Sequence, residues 1–392
     1  MQAEAVLPIR DETWEMIRRL IAFDTTSRES NLGLIEWVRD WLKGHGIESR
    51  LTYDATGKKA NLFATVGEGP RPGIVLSGHT DVVPVDGQAW DSDPFQATLV
   101  GDRIYARGSA DMKSFIAVAL AHTPKFLQAG LKAPVHFALS YDEEVGCIGV
   151  RGLLEDLARN GIRPAGCIVG EPTGMQPVIA HKGMRTFKCR VHGKEAHSSL
   201  TTQGVNAIEY AAKLIVFIRQ LAERMRDLES RDYNFDVPFT TLQTGLIQGG
   251  TAPNIVPREC LFHFEFRYLP GADPDALERE IRDYAKNVLE PEMRKVAPEA
   301  GIEIEGKSQI PGLSTAEEEA ITALAQRLAR AERVRKVAYA TEAGLFQKAG
   351  IPSIICGPGS IEQAHKPNEY ITLEQVALCE AFMDRLTAEL SR

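Results

Sequence analysis

The sequence predicts an α/β fold: a mainly parallel sheet with helices on both faces, interrupted by an inserted α+β domain. As far as Val169, segments with helical apolar spacing alternate with short apolar runs, which is typical of a parallel sheet covered by helices. From about Lys182 the pattern changes to long strand-like stretches between helices. After 302–305 the first alternation resumes, so we expect the C-terminal segment to complete the first domain.

The first domain begins with two helical segments, because apolar residues recur at helical spacing from Glu12 to Phe23 and from Leu32 to Lys43. Short apolar runs follow them, and their length favours strands. The predicted helices are 12–23, 32–43, 112–126 and 149–160, and the predicted strands are 61–66, 73–76, 135–140 and 166–169.

The inserted domain follows the order β-α-β-β-α-β, which is typical of a ferredoxin-like fold. Its predicted strands are 184–191, 239–248, 259–268 and 302–305, and its predicted helices are 206–227 and 274–289. Helices at 315–331 and 373–390 then flank a strand at 352–356. We therefore expect a first domain of 1–181 and 309–392 and an insert of 182–308.

The composition argues against several classes of protein. With 392 residues, of which 44% are hydrophobic and 25% are charged, the chain is long enough for two folded cores. The net charge of −8 disfavours nucleic acid as a partner, and no apolar stretch is long enough to span a membrane. The six cysteines are scattered and Met1–Glu4 shows no secretory pattern, so we expect a cytoplasmic location.

A histidine and an aspartate follow the apolar run 74–76, in the order Ser77-Gly78-His79-Thr80-Asp81. Ligands of open α/β sheets bind at the carboxyl ends of strands. A metal-bound imidazole needs its second ring nitrogen held by a carboxylate or a carbonyl, and Asp81 is placed to do this for His79. Alone, this spacing is also typical of a structural histidine.

Carboxylates follow three further elements. Asp111 lies in a loop of small residues just before a helix, a position that is also typical of a helix N-cap. The acidic run 142–144 follows the strand 135–140, and its charges repel one another unless a cation neutralises them or the turn is solvated. Glu171 follows another buried strand.

The fifth of these groups is His365, which comes after the strand 352–356 and a glycine-containing loop. Two histidines and at least three carboxylates are therefore expected at one edge of the sheet. Such a set suits two zinc ions about 3.5–4 Å apart, with one carboxylate to bridge them and a spare carboxylate beside them.

These five segments, in this order and around an inserted domain, resemble one zinc-dependent family. It includes acetylornithine deacetylases, succinyl-diaminopimelate desuccinylases, aminoacylases and certain carboxypeptidases. The resemblance covers nearly the whole chain and implies a zinc-peptidase-like first domain, with an insert that serves as a lid and a dimerisation domain. It also implies two zinc ions as cofactors, for which cobalt is a plausible substitute.

The resemblance implies a role for each matching residue. One zinc ion is implied at His79 and Glu171, the second at Glu144 and His365, with Asp111 bridging them, Glu143 as the general base and Asp81 as the partner of His79. Glu143 would take the proton of the attacking water and return it to the departing amine.

Three residues of the insert are candidates for binding the substrate. By resemblance, His197 reaches the active site of a partner subunit, which implies a homodimer formed through the insert. A helix-capping or surface histidine is the alternative. Asn254 and Arg267 are the other two, and a guanidinium can bind a carboxylate through two hydrogen bonds, although an ordinary strand-surface arginine fits Arg267 as well.

The segments 341–347 and 357–367 resemble the acetylornithine deacetylase branch of the family. This implies a small-molecule substrate, N2-acetyl-L-ornithine, which is deacetylated to L-ornithine and acetate in arginine biosynthesis. Glu342 is then a candidate partner for the substrate's ammonium group. A desuccinylase or a broader N-acyl-amino-acid amidohydrolase is the alternative, followed by a metallo-exopeptidase. A non-catalytic binding protein is a more distant alternative, which intact Glu143 disfavours.

Overall fold

The computed structural model describes residues 9–392, which form two compact units. The first unit contains 9–180, Leu313–Lys336 and Thr341–Arg392, and the second contains His181–Gly312 and Val337–Ala340. Two predicted roles stay predictions: metal binding and catalysis for the domain formed by 1–181 and 309–392, and lid and dimerisation for the insert 182–308. The segment Met1–Glu4, on which we based the expected absence of a secretory signal, lies outside the described residues.

The strands are numbered along the chain. They are β1 Ser49–Tyr53, β2 Ala60–Val66, β3 Ile74–His79, β4 Thr98–Val100, β5 Arg103–Tyr105, β6 Val135–Ser140, β7 Gly166–Pro172, β8 Val178–His181, β9 Gly183–His192, β10 Thr241–Gly249, β11 Glu259–Tyr268, β12 Gly301–Ile310, β13 Leu313–Ser314, β14 Arg335–Val337, β15 Ser353–Gly357 and β16 Tyr370–Thr372.

The helices are numbered in the same way. They are α1 Asp11–Ile21, α2 Leu32–Gly44, α3 Lys113–Ala121, α4 Thr123–Gln128, α5 Gly149–Arg159, α6 Ala207–Leu228, α7 Pro274–Tyr284, α8 Glu290–Arg294, α9 Ala320–Ala329, α10 Ala343–Lys348 and α11 Leu373–Leu390. Short 3-10 turns lie at Ser198–Gln203 and Ile361–Gln363, and a π turn lies at Ala285–Leu289.

The main sheet has the strand order β1-β2-β6-β3-β7-β15-β8-β13, with β14 paired to β8. Its four central strands, β6, β3, β7 and β15, run parallel, whereas β1, β2 and β8 pair in the antiparallel sense. Every position of β3, β6 and β7 is buried, as expected for strands covered on both faces. The prediction of a mainly parallel α/β sheet is confirmed.

The structure changes the bounds of the predicted helices 112–126 and 315–331. The predicted helix 112–126 is divided at His122 into α3 and α4, because Pro124 has no N–H with which to continue the hydrogen bonds of the first helix. The predicted helix 315–331 begins only at Ala320. The three-residue strands β4, β5 and β16 form a separate small sheet, and they are too short to show a period in the sequence.

The second unit contains a four-stranded antiparallel sheet of order β10-β11-β9-β12. With α6 after β9 and α7 after β11, it has the predicted β-α-β-β-α-β order. Buried and partly exposed residues alternate along β9, so that one face of the sheet packs on a core that includes Phe187 and Phe262. Among residues 9–392, no helix combines the length and the apolar character needed to cross a bilayer.

Candidate metal centre

The candidate ligands of the first unit come from the carboxyl ends of its four central strands. His79 is the last residue of β3, Glu171 lies near the end of β7, and Glu144 follows β6. His365 follows β15 after the 3-10 turn. Because these parallel strands are neighbours in the sheet, their ends meet at one edge, where ligands of such sheets bind.

Asp111 lies between the two imidazoles. Its Oδ1 accepts a hydrogen bond from His79 Nε2 at 3.0 Å, and its Oδ2 is 3.5 Å from His365 Nε2. The two oxygens of one carboxylate therefore face two different histidines. A carboxylate in this arrangement is suited to bridge two cations.

A second carboxylate lies beside each histidine. Glu171 Oε1 is 3.7 Å from His79 Nε2, and Glu144 Oε2 is 3.0 Å from His365 Nε2. Each imidazole thus has one carboxylate of its own and shares Asp111 with the other. This pairing is the one that the resemblance implied for two metal ions.

Burial makes it unfavourable for several carboxyl groups of this cluster to be ionised together. His79, Asp111 and Glu171 are buried, whereas the His365 side chain is 55% exposed. Burial, together with the nearby Asp111 carboxylate, raises the pKa of Glu171 well above its ordinary value and also raises the pKa of Glu144. Because ionising these groups is unfavourable without a counter-charge, the site favours either bound protons or bound cations.

The histidines and Asp111 shift in the complementary direction. Burial opposes ionisation of Asp111, but hydrogen bonds from His365 and His79 hold the pKa of its carboxyl well below the ordinary range. Hydrogen bonds to Asp111 and Glu144 raise the pKa of His365 to about 10. The oxygen and imidazole nitrogen donors fit zinc or cobalt, and the excess of carboxylates fits a pair of divalent cations.

Glu143 is the fourth carboxylate of the cluster. Burial raises its pKa to about 8, and the Glu144 carboxylate adds to the shift although His79 opposes it. The Cys147 thiol donates a hydrogen bond to Glu143 Oε1 at 3.2 Å. Atoms of Glu143, Glu171 and His79 lie within 4.8 Å of one another, so the geometry alone permits Glu143 to act either as a base or as a ligand.

Asp81 holds His79 through its main-chain carbonyl, one of the two kinds of group expected to hold the second ring nitrogen. The imidazole Nδ1 donates to the main-chain carbonyl of Asp81 at 2.8 Å, whereas the Asp81 carboxylate is 3.7 Å away. That carboxylate instead accepts the amides of Glu143, at 3.1 Å, and Glu144, at 3.3 Å, and the hydroxyl of Ser27, at 2.7 Å. Asp81 therefore orients one ligand with its backbone and fixes the acidic loop with its side chain.

The structure does not support a contact between Glu342 and a substrate ammonium group. Glu342 is 1% exposed, and its two oxygens accept the hydroxyls of Ser77, at 2.6 Å, and Ser140, at 2.8 Å. These serines lie on β3 and β6, where their side chains satisfy the carboxylate inside the first unit. The sequence motif could not show this burial.

Two of the three candidate residues of the insert lie close together. His197 forms an antiparallel bridge with Ile255, and the amide of Ser198 donates to the carbonyl of Asn254. The ring Nδ1 of His197 accepts the amide of Ser199, so the neutral imidazole carries its proton on Nε2. His197 is exposed and caps the 3-10 turn Ser198–Gln203, and its predicted role in substrate binding stays a prediction.

Arg267 lies at the other end of β11. The strand begins at Glu259, close to the paired segments, and Arg267 is eight residues further on, which is roughly 27 Å along an extended strand. Its Nε donates to Glu265 at 3.3 Å. Within a single insert, Arg267 is therefore distant from His197 and Asn254.

Sequence reasoning gave no role to three buried residues beside the centre, namely Cys147, Arg107 and Glu369. Glu369 belongs to the same segment as His365. Its position close to a predicted ligand was the sequence signal that could have identified it. Arg107 and Glu369 pair over a long sequence separation, so no local pattern joins them.

Residues 75–389 match Peptidase family M20/M25/M40. The chain is also similar to acetylornithine deacetylases along most of its length. It is 36% identical to that of Myxococcus xanthus over 378 residues, which cover 95% of this chain and 96% of the relative. It is 34% identical to that of Aliivibrio salmonicida over 351 residues, which cover 89% of each.

Solved structures share the fold at low sequence identity. An M20 family metallo-carboxypeptidase from Sulfolobus solfataricus has a TM-score of 0.77 and 18% identity, covering 98% of this chain and 99% of that chain. A dinuclear metal-binding peptidase from Bacillus subtilis has a TM-score of 0.66 and 17% identity, covering 96% of this chain and 97% of that one. At these identities the likeness shows the fold.

Proposed function

Because this chain belongs to Peptidase family M20/M25/M40 and is a metal-dependent hydrolase, we propose that it deacetylates N2-acetyl-L-ornithine to L-ornithine and acetate. One observation carries the proposal: Asp111 faces two imidazoles, and a further carboxylate, Glu143, lies beside the imidazole of His79. The choice of substrate is supported by the acetylornithine deacetylases that the chain resembles over most of its length. With this substrate, the proposed reaction would belong to arginine biosynthesis.

The residues proposed to hold the cations are those that share Asp111. His79 with Glu171 would hold one zinc ion and Glu144 with His365 the other. When bound, the cations polarise the amide carbonyl and make the attacking water more acidic. Cobalt is the proposed substitute, because the same nitrogen and oxygen donors suit it.

Glu143 is the proposed acid and base. Its carboxylate takes a proton from the attacking water and later donates that proton to the amine that leaves. The burial that raises its pKa to about 8 makes it a better proton acceptor than an exposed glutamate. The Asp81 carboxylate holds the amide of Glu143 at 3.1 Å and thereby fixes the base's backbone.

The insert is proposed to contact the acyl group and the amino acid. His197, with its proton on Nε2, can donate to the oxygen that becomes negatively charged during attack. Asn254 lies next to it in the same paired segments and would bind the same end of the substrate. Arg267 would bind the substrate carboxylate after exchanging its contact with Glu265.

We also propose a homodimer formed through the insert. Among the described strands, β10 is at the edge of the four-stranded sheet, and its Leu246 and Ile247 are 65% and 57% exposed. An exposed edge strand with apolar side chains is able to pair with a second copy. The separation of His197 from Arg267 also favours sites completed by two different subunits, since one small substrate cannot span it.

The location proposed for the reaction is the cytoplasm. All six cysteines are free thiols and buried, and none is paired in a disulfide among the described residues. Free thiols of this kind are typical of a reducing compartment.

The decisive experiment compares two substrates at matched concentrations. We expect ornithine release from N2-acetyl-L-ornithine to exceed diaminopimelate release from N-succinyl-diaminopimelate, measured as kcat/KM. Dialysis against a chelator should abolish both activities, and zinc or cobalt should restore them. A preference for the succinyl substrate would replace the proposed deacetylase with a desuccinylase, and full activity without metal would contradict the metal centre itself.

A further inference from the structure

A buried ion pair connects two loops of the metal centre. Glu369 and Arg107 are each 1% exposed, and Arg107 Nη1 donates to Glu369 Oε2 at 2.7 Å. Neither residue takes part in the chemistry described above. A buried pair of charges costs desolvation energy and is favourable only when further hydrogen bonds satisfy it.

The Glu369 carboxylate binds the main chain of the loop that carries Asp111. Its Oε1 accepts the amides of Ala110, at 2.8 Å, and Asp111, at 3.0 Å. Its Oε2 accepts the amide of Gly108 at 3.1 Å. With the guanidinium, each oxygen therefore accepts two donors, and three amides within residues 108–111 fix the backbone from which Asp111 projects.

Arg107 extends the same network to the segment that carries His365. Its Nη1 also donates to the carbonyl of Lys366 at 3.3 Å, and its Nη2 donates to Gln88 Oε1 at 2.7 Å. Gln88 Nε2 in turn donates to the carbonyl of His365 at 3.0 Å. His365 has a φ of 64°, a left-handed conformation that a non-glycine residue keeps only when its surroundings hold it.

We propose that Glu369 is a positioning residue that, through Arg107, holds the Asp111 and His365 loops at the separation that two cations require. The inference rests on the proposed function for the identity of the site. Its geometry stands on the seven hydrogen bonds just described, which join both loops to one ion pair. Groups that orient metal ligands contribute to affinity without touching the metal.

Glu369→Gln is the sharpest test. Each carboxylate oxygen accepts two donors, so the amide –NH2 of glutamine must face N–H groups whichever way the side chain turns. We expect the dissociation constant for Co²⁺, titrated into metal-free protein and followed by its visible absorption, to rise about tenfold to a hundredfold.

The matched control is Glu380→Gln. Glu380 is also buried in the first unit and accepts a backbone amide, that of Arg10 at 3.1 Å, but it contacts neither loop. Both variants should lose thermal stability, whereas only Glu369→Gln should lose Co²⁺ affinity. Equal Co²⁺ affinity in Glu369→Gln and wild type would overturn the inference, and so would an equal loss of affinity in both variants.

Gln88→Leu decides the question if Glu369→Gln does not fold. Gln88 is only half-buried, and leucine removes its contacts to Arg107 and to the His365 carbonyl, together with the hydrogen bond that Gln88 accepts from Trp90. We expect a smaller rise in the Co²⁺ dissociation constant, and an unchanged constant would contradict the proposal. If the wild-type protein binds no pair of Co²⁺ ions, the proposed function fails. If the wild type binds the pair and the variants bind it with the same affinity, only the positioning role fails.

Discussion

The two compact units place their polar candidate residues in opposite environments. In the first unit, His79, Asp111 and Glu171 are buried, and their side chains face one another. In the second unit, His197 is exposed and Arg267 is half-buried, and each contacts a residue two positions away in the chain. The first set is a cluster that lacks compensating charge, whereas the second set is locally satisfied.

The difference shows where each unit needs a partner. Buried carboxylates that face one another are unfavourable until protons or cations neutralise them, so the first unit depends on what it binds. The polar side chains of the insert do not destabilise the fold in the absence of substrate, because water and near neighbours satisfy their hydrogen bonds. Their proposed roles therefore require contacts from outside the insert, and changes in the two units should have separable effects.

The largest effect is expected for Glu143→Gln. Removing the base should lower kcat about 10²–10⁴-fold, because the attacking water loses its proton acceptor. Metal content, measured by mass spectrometry, should stay at the wild-type value. The exposed Glu155→Gln on α5 is the matched control and should leave both quantities unchanged. Loss of one metal ion in Glu143→Gln would instead identify Glu143 as a ligand, which the geometry permits.

The next effect is expected for His197→Ala, which should lower kcat about 10²–10³-fold by removing a donor to the developing oxyanion. If the histidine serves the partner subunit, mixing this variant with Glu143→Gln restores about a quarter of the wild-type sites, since half of the reassorted dimers each contain one intact site. Activity is measured after subunit exchange reaches equilibrium. No recovery despite exchange would mean that His197 acts within its own chain or not at all.

A smaller loss is expected for Asp81→Asn. Asparagine keeps one acceptor oxygen and places an –NH2 group at the other position, where it faces the amide of Glu143 or that of Glu144, so the acidic loop loses orientation. We expect activity to fall about tenfold to a hundredfold in kcat/KM assays. Ser27→Ala removes only the hydroxyl contact and should have a weaker effect, so a larger loss in that variant would contradict this assignment.

The last effect is on stability rather than on activity, and we expect it in the metal-free protein. Folding raises the pKa of Glu143 from 4.5 to about 8, so the folded state holds this proton more tightly than the unfolded state. The stability that this tighter proton binding gives to the folded state is complete below about pH 4.5 and is lost as the pH rises towards 8. Metal-free Glu143→Gln should therefore gain stability relative to wild type across this range, measured by urea unfolding. A difference that is independent of pH would contradict the raised pKa.

Much of the candidate site could be predicted from the sequence because of its position in the sheet. Apolar runs identify buried strands, and parallel strands bring their carboxyl ends to one edge, so His79 and Glu171 were expected to be neighbours. The same reasoning placed the acidic loop after β6 at that edge. Short strands and the interruption between α3 and α4 were missed, since they depend on pairing partners and on one proline rather than on a period.

The sequence alone determined which residues follow the strands, because the apolar period and the order of the motifs are local properties of the chain. Only the tertiary structure decided which atoms meet: the Asp81 carbonyl rather than its carboxylate on His79, and Glu342 on two serines rather than on a substrate. It also joined Glu369 to Arg107 across the fold. Such contacts depend on packing between distant segments, and burial gives them their strength by excluding the water that would otherwise satisfy each charge.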